Sequence, residues 1–434
     1  MTETLLNRRK AAIPAGAATS HPFFVDRAEG SELWDTDGKH YVDFVAGIAV
    51  MNVGHRHPRV MAAIAAQMDR YAHVAWPVQH YEPYVAVCER LNAVAPINDA
   101  VSFLVNTGAE ATENAVKIAR LATGRSGIIA FTGSFHGRTN LALSLTGKVA
   151  PLRASYPHFQ PGIFHIPFPI PDHGTSEEES LRALDHLFRA SISPDQVAAI
   201  LVEPVQGEGG YYMAPPAFLQ KIQQICSDHG ILFIADEIQS GFGRTGKFFA
   251  IEHSGVEPDL IPVAKGIGGG LPLAGVIGKR SVMDKVMPGS LGGTFAGNPL
   301  ACAASLAVFD IIRDEGLLDR ATAIGQHLTT ALARITARTD VPPIGAVRGL
   351  GAMVAFEVFK TEDHSVPDSD TTKTIATRAA AEGLLVLPCG YWGNTIRIAP
   401  PLTTTDKLLD EGLNRLTRAL TGLYSNTIRK ENHA

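Results

Sequence analysis

The sequence predicts an α/β protein with a buried parallel sheet, and three observations carry that prediction. Short apolar runs recur (VSFLVN, GIIAFTG, VAAILVEP, ILFIADEI and DLIPVAKG), each too short for a helix. Amphipathic helical patterns alternate with them, as in βαβ units. The runs end in polar or charged residues, and ligands of open α/β sheets sit outside the carboxyl ends of the strands.

In chain order, SELWDTDGKHYVDF reads as two strands with Asp37-Gly38 as the hairpin turn. His55 and His57 in GHRHP would need a third ligand to hold a metal, and the segment reads as a turn. VSFLVN is followed by the helix of NTGAEATENAVKIARLATG, opened by a Thr107–Glu110 capping box, with Glu113 and Lys117 spaced for an i,i+4 pair. Gly108 and Ala109 at that helix start leave N–H groups suited to a phosphate. GIIAFTG leads into SFHGRTN, where Phe135 can stack on a planar ring and Arg138 can hold a carboxylate. Residues 150–180, rich in Pro and His, read as a long loop.

VAAILVEPVQGEGG ends in Glu203, Gln206 and Glu208, and AFLQKIQQICSDHG is an amphipathic helix stopped by Gly230. It delivers the chain to Ile231–Gly266. Strand alternation there puts Asp236 and Ile238 on one face and Glu237 on the other, and Lys265 follows the next apolar run 29 residues after Asp236. A carboxylate at the end of a buried strand needs a cationic partner. Pyridoxal phosphate offers one, since it needs a lysine for a Schiff base and an acid against its pyridinium nitrogen. A structural Asp–Lys ion pair is the alternative. GIGGGLPLAG lacks the following helix and the acidic residue of a dinucleotide fingerprint. Thr294 lies in a glycine-rich loop before a long helix, and from about residue 320 the pattern becomes a second, antiparallel α+β unit ending in a helix with Leu409, Leu413, Leu416 and Leu420 on one face.

At 434 residues, one large domain plus a smaller one is expected. With 45% hydrophobic and 19% charged residues the composition is that of a globular enzyme, and a net charge of −5 argues against nucleic acid or an anionic membrane as partner. Cys88, Cys226, Cys302 and Cys389 have no CxxC spacing, so neither disulfides nor zinc are expected. No run is long enough to span a membrane, and MTETLLNRRKAAIPAG lacks a signal-peptide core; Glu3 and its shortness argue against a transit peptide. A cytoplasmic protein is expected.

TGAEATENAVKIAR, FHGRT, VEPVQGEGG, ADEIQSGFGRTG, AKGIGGGLPLAG, TFAGNP and RIAPPL occur in the order seen in class III pyridoxal-phosphate aminotransferases, which the chain resembles from about residue 12 to about 420. The resemblance implies the fold of type I pyridoxal-phosphate transferases. That means a large domain (60–320) with a mainly parallel seven-stranded sheet, and a small α+β domain from both ends (1–59 and 321–434). It also implies a homodimer or homotetramer with the active site at the subunit boundary.

By the same resemblance, Lys265 carries the cofactor and moves the proton, and Asp236 pairs with the pyridinium nitrogen. Ile238 and Phe135 flank the ring, Gln239 lies near its hydroxyl, and His136 and Glu208 join the cofactor-binding set. Gly108 and Ala109 form the phosphate cup, and Thr294 reaches the neighbouring subunit's phosphate. Arg138 and Arg397 bind substrate carboxylates, Glu208 switches between their uses with Glu203 beside it, and Ile48 is an apolar wall. Ala109 departs from the serine of many members, which removes a hydroxyl donor to the phosphate.

The implied reaction transfers the amino group of 4-aminobutyrate to 2-oxoglutarate, giving succinate semialdehyde and glutamate, with no metal. Another ω-amine donor (5-aminovalerate, β-alanine, ornithine or acetylornithine) is the alternative. Further readings are a mutase or racemase on this fold and a nucleotide-binding or non-catalytic scaffold protein.

Overall fold

The apolar runs become strands of one seven-stranded sheet in a computed structural model that describes residues 2–154 and 156–423. In chain order the strands are β1 (Ala100–Val105), β2 (Gly127–Phe131), β3 (Ile163–Ile166), β4 (Val197–Val202), β5 (Leu232–Ala235), β6 (Leu260–Val263) and β7 (Ala274–Lys279). Their order across the sheet is β1-β7-β6-β5-β4-β2-β3. Only β7 runs against its neighbours, β6 and β1; the other pairs are parallel. The carboxyl ends of β1, β2, β4, β5 and β6 therefore lie along one edge, where such sheets place their ligands. β2 and β4 are buried at every position, which is why both read as unbroken apolar runs. Ile234, at 0% exposure in β5, is central to this core, so Ile234→Ala would cost roughly 2–5 kcal/mol.

Helix α1 (Gly108–Thr123) starts on the expected capping box, in which Thr107 accepts from Glu110 N at 3.2 Å and the Glu110 carboxylate accepts from Thr107 N at 3.0 Å. Ala111, Ala115, Val116, Ile118 and Ala119 are buried and belong to the core shared with β6 and β7. The Glu113–Lys117 pair does not form. Glu113 instead accepts from the Thr139 hydroxyl and Ala142 N, and Lys117 donates to Ser290 O. Helix α2 (Pro216–His229) buries Phe218, Leu219, Ile222 and Cys226 and ends on Gly230 at φ +63. Helix α3 (Pro299–Asp314) follows the loop of Thr294 and is capped by Asn298.

Two local expectations are corrected. The stretch 150–180 is not one long loop, because it contains the edge strand β3 and the start of a helix, Glu177–Ala190. Four residues between prolines, three of them half-buried, give too weak a pattern to read as a strand. Secondly, β5 stops at Ala235 and Ile238 lies in a turn, so its position does not follow from strand alternation.

Pro58–Ala321 forms one compact unit, and the described parts of Met1–His57 and Thr322–Ala434 form the other. In the second unit, Glu32–Asp35 and His40–Asp43 make the expected hairpin, with Gly38 at φ +83 and Leu384–Leu385 added in parallel to His40–Asp43. An antiparallel sheet of Arg348–Leu350, Met353–Glu357, Thr395–Ile398 and Leu387–Cys389 is the expected α+β element. The helix Asp406–Leu420 buries the four predicted leucines. Among the described residues no helix is long and apolar enough to cross a membrane.

Candidate active site

The site grows out of the strand ends. Just beyond β5 the chain stays extended, with Asp236 N donating to Val202 O at 2.8 Å and Glu237 N to Pro262 O at 3.2 Å. Asp236 is 3% exposed. Its Oδ1 accepts from Ile238 N at 3.0 Å and its Oδ2 from His136 Nδ1 at 2.6 Å. A carboxylate only accepts, so the His136 proton sits on Nδ1, and its buried Nε2 is left without a partner. The histidine is itself fixed by Thr146 Oγ1, which accepts from His136 N at 3.0 Å. Nothing in the local sequence announces Thr146 or this pairing.

Lys265 follows β6 on a single helical turn, half-buried, at φ +49. A left-handed conformation in a residue with a Cβ costs roughly 1–2 kcal/mol and concentrates at functional sites. Gly108 faces the same region. A Cβ there would lie 3.0 Å from Ile238 Cγ2 and 3.6 Å from the Cβ of Ala264, the residue before Lys265. The FHGRT loop crosses directly over the start of α1, since a Cβ on Gly137, at φ +135, would come within 2.8 Å of the Ala109 Cβ. Arg138 is exposed at the end of that crossing, and Phe135 is half-buried before it.

Glu203 clamps two loops. Its Oε1 accepts from Phe135 N and its Oε2 from Gly207 N, both at 2.8 Å, at 5% exposure. Burial pushes its carboxyl up to about 7, with His136 pulling it down and Asp236 pushing it up. Both oxygens are thus engaged by backbone, a use that a polar residue at a strand end does not reveal in sequence. Gln206 joins the same loops by donating to Thr132 O at 2.8 Å. Glu208 is half-buried in the loop that Glu203 holds, and Thr294 is exposed ahead of α3. Gln239, 7% exposed, packs against Gly207 and leaves its buried Oε1 without a partner.

In the other unit, Arg397 is 6% exposed on Thr395–Ile398. Ile48 is 44% exposed on a tight turn.

These residues fit pyridoxal phosphate. An acid held by a histidine, an orphaned amide oxygen and a glycine cradle at a helix start answer a pyridinium nitrogen, a ring hydroxyl and a phosphate.

Glu237 points away from this set. Its carboxylate accepts from Ser240 Oγ at 2.6 Å and Ile251 N at 2.7 Å at 0% exposure, and burial raises it to about 7. A folded-state value above the ordinary one means the native state keeps a proton that the unfolded chain loses between about pH 4.5 and 7. That contribution to stability is present at low pH and is lost as pH rises through 7. Glu237→Gln, which never ionises, is therefore expected to gain on the parent by roughly 2–3 kcal/mol between pH 5 and pH 8 in urea unfolding. An equal gap at both pH values would show that Glu237 does not titrate in that range.

The sequence matches the family model described as "Aminotransferase class-III" over residues 14–420. It is 49% identical over 412 residues to the 5-aminovalerate aminotransferase of Pseudomonas putida, covering 95% of this chain and 96% of that one. It is equally 49% identical, over 410 residues, to the 4-aminobutyrate aminotransferase of Escherichia coli, covering 94% and 96%. Among solved structures, an amine transaminase from an uncultivated Pseudomonas species in its PLP-bound form superimposes with a TM-score of 0.85 at 28% identity, covering 94% of this chain and 96% of that chain.

Proposed function

The chain belongs to the class-III aminotransferases, enzymes dependent on pyridoxal phosphate, and we propose that its amino donor is the ω-amino acid 4-aminobutyrate and its acceptor 2-oxoglutarate. The observation that carries the donor class is Arg138, a guanidinium exposed at the end of a loop braced by Glu203 and by the start of α1. Such a planar fork holds a carboxylate in two parallel hydrogen bonds. An ω-amino acid offers a carboxylate at the end away from the reacting amine. 5-Aminovalerate is the second reading, supported by a relative of equal identity.

Bound pyridoxal phosphate supplies an electron sink for the pair left when a proton leaves the amine carbon. Lys265 would hold the cofactor through its amine, and the same amine, when free, would move that proton. Asp236, held by His136, keeps the ring nitrogen protonated, while Phe135 and Ile238 flank the ring and Gln239 serves its hydroxyl. Gly108 and Ala109 supply backbone donors for the phosphate, with Thr294 serving that of a neighbouring subunit in a homodimer or homotetramer. Arg397 takes the α-carboxylate of glutamate and 2-oxoglutarate, Glu208 governs when that arginine is used, and Ile48 forms an apolar wall.

Initial rates with a panel of donors and 2-oxoglutarate test the proposal. The expected result is glutamate formation with kcat/KM highest for 4-aminobutyrate; a higher value for 5-aminovalerate would favour the second reading, and no turnover of either would refute both.

Arg138→Lys is expected to slow the 4-aminobutyrate and glutamate half-reactions alike, by about tenfold or more, because a point charge replaces a planar fork. Both donors would place a distal carboxylate there. Pre-steady-state absorbance with each donor separately is the check, and a loss confined to one donor would contradict a shared anchor.

A further inference from the structure

Ala46, Gly47, Ile48 and Ala49 have φ values of +50, +62, +66 and +57, a left-handed turn in which only one residue is glycine. Three residues with a Cβ, one of them β-branched, do not hold this conformation unless their surroundings over-determine it. Those surroundings centre on Asp43, at 2% exposure. Its Oδ1 accepts from Val45 N at 2.8 Å and Ala46 N at 2.9 Å, and its Oδ2 lies 2.8 Å from His55 Nε2. His55 is in turn locked to Gly30 by reciprocal backbone hydrogen bonds of 2.9 and 2.8 Å.

Both sides of the turn are tied to the segment that carries Arg397. Ala399 N donates to Phe44 O at 2.8 Å and Leu402 N to Asn52 O at 2.7 Å. Within the turn, Ala49 N donates to Val45 O, and Val50 N and Met51 N to Ala46 O. The small residues face inward, with Ala46 at 0% and Ala49 at 1% exposure, while the branched Ile48 is displayed at 44%. The strained backbone thus holds one apolar side chain outward on a rigid mount.

We propose that Asp43, latched by His55, is a positioning residue for donor selection. It fixes the height of Ile48 against the donor's carbon chain and so discriminates four-carbon from five-carbon ω-amino acids. This rests on the reading of the chain as an ω-amino acid aminotransferase with Ile48 at the substrate. One methylene in an apolar pocket is worth roughly 10- to 200-fold in discrimination, so even partial release of the mount is measurable.

The experiment compares kcat/KM for 5-aminovalerate and 4-aminobutyrate in the cofactor-loaded parent, Asp43→Ala, Asp43→Asn, Ile48→Ala and the Asp43→Ala/Ile48→Ala double variant. Cofactor absorbance and melting temperature are read alongside. Asp43→Ala is expected to keep its cofactor and to shift the ratio about threefold or more towards the longer donor, in the same direction as Ile48→Ala. The double variant should shift no further than Ile48→Ala alone, since the two act through one side chain. Asp43→Asn should restore most of the parent ratio, because its amide oxygen still accepts from Val45 and Ala46.

Should Asp43→Ala not fold, Ala49→Gly replaces it. Removing that Cβ relieves the left-handed conformation without lowering the melting temperature, and the looser turn should shift the ratio in the same direction. The proposal is overturned if Ile48→Ala moves the ratio while Asp43→Ala and Ala49→Gly do not, or if the double variant is additive. A parent that turns over neither donor would overturn the functional reading itself.

Discussion

Lys265→Ala is expected to yield a folded protein whose turnover is lower by about ten-thousandfold or more. Two roles fall on one amine. In the proposed mechanism it attaches the cofactor and moves the proton, a function that alone contributes about 10²–10⁴-fold in rate by general acid–base catalysis. The substitution should spare the fold, because Lys265 is half-buried on a turn and its backbone is held at φ +49, which alanine tolerates no worse. Unchanged far-UV circular dichroism together with lost turnover is the expected pair of readings. Near-normal turnover would remove Lys265 from the mechanism.

The second large effect concerns Asp236. Asparagine keeps the shape but loses the charge proposed to hold a proton on the ring nitrogen. It also disturbs the relay behind it, because an amide NH₂ at the Oδ2 position would meet the N–H of His136 Nδ1. The imidazole could answer only by moving its proton to Nε2, which has no partner in its buried position. Asp236→Asn is therefore expected to bind cofactor and to slow proton abstraction from 4-aminobutyrate by about a hundredfold. Single-turnover absorbance traces measure that step directly. An unchanged rate constant would mean that Asp236 serves only as a structural partner of His136.

How much of this was legible depended on how local the physics was. β5 and the Asp236 just beyond it stood out because a short apolar run lies between Gly230 and Ser240-Gly241. The capping box of α1 and the Asp37-Gly38 hairpin follow from neighbouring residues alone, and both formed as expected. The Glu113–Lys117 pair failed because each side chain found a partner far along the chain, at Thr139 and Ser290. β3 was hidden by its prolines and its half-buried edge position.

The clamp made by Glu203 was illegible for the same reason as the Asp236–His136 pairing, since its two donors come from loops brought together only by the sheet order. The turn at Ile48 gave no signal either. Left-handed backbone is normally announced by glycine, and here three of its four residues are not glycine.

Mixing the cofactor-loaded protein with 4-aminobutyrate and no acceptor, then adding 2-oxoglutarate, tests the donor assignment most directly. Stoichiometric release of succinate semialdehyde is expected, together with a change in the cofactor's absorbance. The starting spectrum should then return, with matching glutamate, when 2-oxoglutarate is added. A spectrum indifferent to 4-aminobutyrate but converted by a donor lacking a distal carboxylate would contradict it.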